Sequence, residues 1–140
     1  MENKIALVTG ASRGIGKAIV GKLLESGAVV CATARNNEGL DALRSDFSQH
    51  VGKLHLFSCD LSFSAEVSEL CEAVNKQVGH IDVLINNAGI LHLESLENSS
   101  EDLLRRSFEV NFFAPFALTR YFSQSMIKRG QGIIINVCSS

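Results

Sequence analysis

Five short apolar runs separated by longer stretches of helical period constrain this chain more than any other feature. The runs fall at residues 5–8, 29–33, 54–57, 83–85 and 133–137 and are rich in Val, Ile and Leu. Most are continuously apolar rather than alternating, the pattern of strands covered on both faces. Between them, residues 14–26, 38–49, 65–78 and 100–128 read as helices. Gly27, Gly79 and Gly130 stand where three of those helices end, the position taken by a left-handed closing residue. Ser64 and either Ser99 or Ser100 are the expected N-caps. Strand–helix alternation of this kind implies a parallel sheet with right-handed crossovers: a doubly wound α/β fold of five strands with helices on both faces. Ligands of such sheets bind beyond the carboxyl ends of the strands, so functional residues are expected just after each apolar run.

Composition narrows the function classes. The 140 residues amount to one domain, with no linker, repeat or low-complexity tract. A net charge of −2 supplies no basic field for nucleic acid or anionic lipid. No apolar stretch approaches the roughly 20 residues of a membrane span, and the opening Met-Glu-Asn-Lys lacks the pattern of an export signal. Cys31, Cys59, Cys71 and Cys138 form no CxxC pair and are expected to be reduced, which fits a cytoplasmic protein. His50, His55, His80 and His92 lack ligand spacing, and no metal site is expected.

The first apolar run leads into Thr9-Gly10-Ala11-Ser12-Arg13-Gly14-Ile15-Gly16 and then a helix. Gly10 permits a sharp turn, Gly14 lets backbone approach a pyrophosphate, and Gly16 lets the helix pack close to the sheet. The exposed N–H groups and the positive helix end favour an anion, so the loop reads as the phosphate cradle of a dinucleotide. Proteins that take NAD(H) place an acidic side chain after the second strand to accept from the ribose hydroxyls. Here that place is held by Ala34, followed by Arg35, while Arg13 lies inside the glycine loop. Two guanidinium groups with no opposing carboxylate suit a 2′-phosphate, and NADP(H) is expected rather than NAD(H). Ser12 is a further candidate for the adenosine phosphate or ribose.

Gly-x-x-x-Gly-x-Gly preceded by Thr, joined by Cys-Asp-Leu at 59–61, Asn-Asn-Ala-Gly at 86–89 and Val-Asn at 110–111, resembles the short-chain dehydrogenase/reductase family over the whole chain. The resemblance implies a Rossmann fold and an oxidoreductase that transfers a hydride between NADP(H) and a small carbonyl or alcohol substrate. It implies that Asp60 accepts from the adenine amino group, with backbone contact from Leu61. Asn87, Ala88 and Gly89 would line the ribose and nicotinamide, and Asn86 and Asn87 would also hold the end of the fourth strand. The opening is similar to that of 3-oxoacyl-[acyl-carrier-protein] reductases, a likeness shared across many substrate classes.

Pro115, the sole proline, falls inside the longest helical segment, four residues after Asn111. A proline there removes the N–H that would bond the Asn111 carbonyl, so a bend and a freed carbonyl are expected. In the family that carbonyl holds a proton-relaying water. Phe108, Phe112, Phe113, Phe116, Leu118, Tyr121, Phe122, Met126 and Ile127 cover nearly the whole circumference of this helix. A helix apolar all round is covered on both sides; one side is expected on the sheet and the other, by resemblance, in a homo-oligomer (dimer or tetramer).

The closing "GIIINVCSS" matches the family's strand-and-serine pattern and places the substrate-binding serine at Ser139. There it would bond the substrate oxygen as charge develops. The family's acid–base pair, Tyr-x-x-x-Lys, follows that serine, whereas Tyr121, the sole tyrosine, precedes it and is read as a packing residue. Residues 1–140 are therefore expected to be the coenzyme-binding domain, incomplete at its C-terminal end and without later strands. The alternatives are a non-catalytic dinucleotide-binding fragment and a doubly wound domain for another nucleotide-like ligand. The arginine pair and Asn-Asn-Ala-Gly argue against the latter.

Overall fold

The computed structural model describes residues 1–139. In chain order its elements are β1 (Ile5–Val8), α1 (Gly14–Glu25), β2 (Val29–Ala34), α2 (Asn37–Asp46), β3 (Leu54–Ser58), α3 (Ser64–Val78), β4 (Val83–Asn86), α4 (Glu101–Phe108), α5 (Ala114–Arg129) and β5 (Ile133–Asn136). The strands form one parallel sheet in the order β3-β2-β1-β4-β5. This is the expected Rossmann architecture. The chain builds outward from β1 through β2 to β3, then returns to β1's other side for β4 and β5. The crossover helix after β1 lies on one face of the sheet and α5, after β4, on the other, so a crevice opens at the carboxyl end.

Alternate residues of the strands feed two cores, one on each face. Leu7, Cys31 and Leu84 pack with Val67, Leu70 and Val74 of α3 and with Leu118 and Phe122 of α5. Ala6, Val8, Val30, Ala32, Val83 and Ile85 pack with Val20 and Leu24 of α1 and Leu43 of α2. Each fully buried Val or Leu stabilises the fold by about 1.5–3 kcal/mol.

Helix ends depart from the sequence reading in two places. Ser64 is the first residue of α3 rather than its cap, and Phe63 stands at the N-cap without a side-chain bond. The preceding turn is instead tied to itself and to the helix: Asp60 N–H donates to Glu66 Oε2 at 2.7 Å, and Ser62 N–H and Oγ donate to Asp60 Oδ1. At α2, Asn36 is the N-cap, accepting from Gly39 N–H at 3.0 Å, and the helix stops at Asp46 before a short 3₁₀ turn. Ser100 caps α4 as expected, accepting from Leu103 N–H at 3.1 Å. Gly27, Gly79 and Gly130 all adopt positive φ.

The bend expected at Pro115 takes the form of a π-turn. Residues Glu109–Phe113 link α4 to α5 through one wide turn, in which Ala114 N–H donates to Glu109 O. Pro115 is the second residue of α5, and because the backbone runs helically through Phe113 and Ala114 its missing N–H leaves a carbonyl of the wide turn without a helical donor. Along this segment Val110, Ala114, Leu118, Phe122 and Met126 are buried, four residues apart, while Phe112, Phe116 and Ile127 are more than half exposed. One apolar side covers the sheet; the other faces outward.

Arg129 anchors the far end of α5. It donates to Asp82 Oδ1 at 2.9 Å and to the Ile81 carbonyl at 2.7 Å, while Asp82 Oδ2 accepts from Ile5 N–H at 3.0 Å. Burial pushes the Asp82 carboxyl up, but the Ile5 and Arg129 bonds with nearby Lys4 and His80 outweigh it and hold the group below its ordinary value. A depressed carboxyl contributes stability that is fully present above the unfolded value, about 3.9, and lost as pH falls through the lower folded value. Asp82→Ala is expected to cost about 3 kcal/mol at pH 7 in urea unfolding, because it strands the Arg129 charge. The difference from the unaltered protein should shrink as the pH is taken below the ordinary carboxylate range.

Candidate functional site

The crevice at the carboxyl end of the sheet is a cleft of about 440 Å³. It brings together Gly10, Ser12, Arg13, Gly14, Ile15 and Gly16 of the first loop, Arg35 after β2, Asp60 and Leu61 after β3, and Asn87, Ala88 and Gly89 after β4. All twelve residues predicted from the sequence to contact a coenzyme thus line one space.

The glycine loop is shaped by close approach. Gly10 has φ +63°, and a Cβ there would lie 2.8 Å from Ala88 Cα, so glycine alone lets the two loops touch. Gly16 serves a different end from the expected helix–sheet contact. Its missing Cβ leaves room for the Gly10 carbonyl and for Asn87 Nδ2, which would be 2.5 Å away. Gly14 has φ +55° with nothing within 4 Å of where a Cβ would project. That open space lies at the N-terminus of α1, whose first turn carries no acidic residue. An anion meets unpaired N–H groups there and no repulsion.

Thr9 joins the two loops. Its Oγ1 accepts from Asn87 N–H at 3.1 Å and Ala88 N–H at 3.0 Å, and Asn87 Nδ2 donates to the carbonyls of Thr9 and Gly10. Asn86 turns the other way, donating to Asn136 Oδ1 at 2.9 Å, so the first asparagine of the pair ties β4 to β5. Thr9 was legible only as the residue before the glycines; its role needed the β1–β4 adjacency.

Ala34 is buried, Arg13 and Arg35 are exposed, and among the described residues neither arginine pairs with a carboxylate. Asp60 is the cleft's acid. Burial pushes its carboxyl up, but the Ser62 hydrogen bonds, Arg106 and Arg35 together hold it below the ordinary value. Arg106 of α4, which lies 3.5 Å from Asp60, also lines the cleft, as do Cys59, Ile90 and Val110. Sequence reasoning missed Arg106 because its neighbours in sequence form an ordinary solvated helix face. Burial pushes the Cys59 thiol up to about 12, with Glu66 and Asp60 adding to the effect, so it stays protonated.

The remaining two predicted residues lie outside the lining. Asn111, in the π-turn, clamps Ile90 from both sides: its Oδ1 accepts from Ile90 N–H at 2.9 Å and its Nδ2 donates to Ile90 O at 2.8 Å. Ser139 follows β5 and is exposed at the carboxyl end of the sheet, the end that carries the cleft. Tyr121 lies on α5, edge-on to Phe122 with centroids 5.0 Å apart. Among the described residues no group of three or more His, Cys, Asp or Glu gathers as a metal site, and no helix is long and apolar enough to cross a membrane.

Known proteins share this arrangement. The chain is 34% identical to a fatty acyl-CoA reductase of Acinetobacter baylyi, over 99% of its own length and 48% of the relative's. It is 39% identical to a gluconate 5-dehydrogenase of Gluconobacter oxydans, over 96% of its own length and 52% of the relative's. The chain therefore spans about half the length of these curated relatives. A crystal structure of a metagenomic short-chain oxidoreductase in complex with NADP superposes with a TM-score of 0.92 at 38% identity, covering 99% of this chain and 62% of that one. A family model described as short chain dehydrogenase matches residues 4–140. With its glycine loop, Asn-Asn-Ala-Gly clamp and sheet order all in register, the chain belongs to the short-chain dehydrogenase family.

Proposed function

We propose that the cleft binds NADP(H), in preference to NAD(H), for an oxidoreductase that acts on a small carbonyl or alcohol substrate. The observation that carries this reading is the pair Arg13 and Arg35, both without a carboxylate partner among the described residues, beside a β2 end where Ala34 stands in place of an acid. The open space over Gly14 suits a pyrophosphate, and Ser12 adds a hydroxyl beside it. Two guanidinium groups favour a 2′-phosphate through charge-assisted bonds. The superposed metagenomic oxidoreductase is itself in complex with NADP, which supports the choice.

The coenzyme, when bound, supplies or accepts the hydride. The protein's own part is positioning: Asn87, Ala88 and Gly89 line the inner end of the cleft, and Asn111 holds Ile90 against it. Ser139 is assigned to the substrate oxygen, where a hydroxyl donor stabilises developing charge. Residues 1–140 form the coenzyme-binding domain. Tyr121, the sole tyrosine of these residues, lies on α5 and is read as a packing residue. A 3-oxoacyl thioester is the substrate class favoured by the opening motif, and the fatty acyl-CoA reductase relative is consistent with an acyl thioester. The exposed Phe112 of the π-turn and Phe116 of α5 support a homo-oligomer built on this segment, and three buried free cysteines support a cytoplasmic setting.

The protein contains no tryptophan, so reduced-coenzyme fluorescence reports binding without energy transfer from the protein. NADPH is expected to bind at least about tenfold more tightly than NADH, a difference near 1.4 kcal/mol. Equal affinities, or tighter NADH, would refute the arginine assignment.

A further inference from the structure

A glycine stands inside α2 where the backbone does not call for one. Gly39 lies in the first turn of that helix and is not among the glycines with positive φ, so its conformation would accept alanine, which a helix prefers. What excludes alanine is a neighbour from the glycine loop. A Cβ on Gly39 would lie 2.8 Å from Ser12 Cβ, with Ser12 Oγ and Asn36 Oδ1 at 3.3 Å. The two oxygens could swing aside by side-chain rotation, but Ser12 Cβ is fixed by its own backbone. That backbone has little room to withdraw: Ala11 N–H donates to the Thr33 carbonyl at 2.9 Å, and Gly10 is pressed against Ala88. The first turn of α2, which opens after Arg35 and the Asn36 cap, therefore rests on Ser12.

We infer that Gly39 is a positioning residue for coenzyme selection: by carrying no side chain it lets the start of α2, and with it Arg35, close on Ser12, so that the Ser12 hydroxyl and the Arg35 guanidinium address one 2′-phosphate. The inference rests on reading the cleft as an NADP(H) site and adds a residue that tunes it from outside the lining. Ser12 and Arg35 both line the cleft, whereas Gly39 does not. A hydroxyl held by packing gives the phosphate a neutral donor alongside the charged one, and a small shift at residue 12 or at the start of α2 parts the two. Gly14, assigned to the pyrophosphate that both coenzymes share, has open space where its Cβ would project and is not pressed by α2.

Fluorescence titration with NADPH and with NADH, read as the ratio of their affinities, tests the role. The unaltered protein is expected to favour NADPH at least about tenfold. Gly39→Ala should bring that ratio to about twofold or less by weakening NADPH, with NADH changed by less than about twofold. In a Ser12→Gly background, where no Cβ remains to be struck, Gly39→Ala should leave both affinities as they are. Equal weakening of both coenzymes in Gly39→Ala would overturn the inference, since it marks a loop disturbed as a whole. So would a further fall in the ratio when Gly39→Ala is added to Ser12→Gly, because Gly39 would then act without Ser12. If the unaltered protein shows no preference for NADPH, the NADP(H) reading itself fails; a preference that survives Gly39→Ala sinks the Gly39 role alone.

Discussion

Alanine at position 16 is expected to lower the unfolding free energy by about 3 kcal/mol, the upper range for overpacking a tight site. The added methyl would strike the Gly10 carbonyl and lie 2.5 Å from Asn87 Nδ2. Neither neighbour moves freely. Gly10 O accepts from Asn87 Nδ2 at 3.1 Å, and Gly10 itself is pressed against Ala88. Relief would separate the β1 and β4 loops and break the bonds that Asn87 makes to Thr9 and Gly10. Gly14→Ala gives the contrast: its methyl meets nothing within 4 Å, and only φ +55° opposes it, a strain of about 1–2 kcal/mol. Urea unfolding of the two variants should rank Gly16→Ala as the more destabilising, while NADPH titration should show Gly14→Ala weakened more in binding than in folding. Equal stability losses would mean that the loop is not held by close approach.

Arg35→Asp is expected to reverse coenzyme preference. The substitution removes one guanidinium from the proposed 2′-phosphate site and supplies, directly after β2, the acceptor that a free ribose 2′-hydroxyl uses. For an exposed guanidinium, loss of one charge-assisted phosphate contact together with repulsion by the new carboxylate is expected to weaken NADPH by about tenfold, near 1.4 kcal/mol, while NADH affinity rises. Arg35 is exposed, so the fold should be untouched and thermal unfolding unchanged. An unaltered NADPH-to-NADH ratio would remove Arg35 from the site. Salt should weaken NADPH more than NADH in the unaltered protein, because the added phosphate contact is screened.

The sheet was legible because its signals are local. Continuous apolar runs, Gly27, Gly79 and Gly130 at helix ends, and the glycine loop each follow from a few neighbouring residues. The glycine loop and Arg35 were legible because a doubly wound sheet sends every strand's C-terminal loop to one place, whereas Asp60, Leu61, Asn87, Ala88 and Gly89 were singled out by the family resemblance. What escaped notice depends on contacts distant in sequence. Gly16 meets the Gly10 carbonyl and the far-off Asn87 only because β4 returns beside β1. Arg106 meets Asp60 only once α4 is laid across the cleft. Asn36 as a cap, the early stop of α2 at Asp46 and the π-turn at Glu109–Phe113 are local yet depend on hydrogen-bond choices that periodicity does not encode.

A crystal structure of the protein grown with NADP⁺ is the most direct measurement of coenzyme binding. The pyrophosphate is predicted over Gly14 at the N-terminus of α1, with the 2′-phosphate between Arg13 and Arg35. A coenzyme seated elsewhere, or a 2′-phosphate that touches neither arginine, would contradict it.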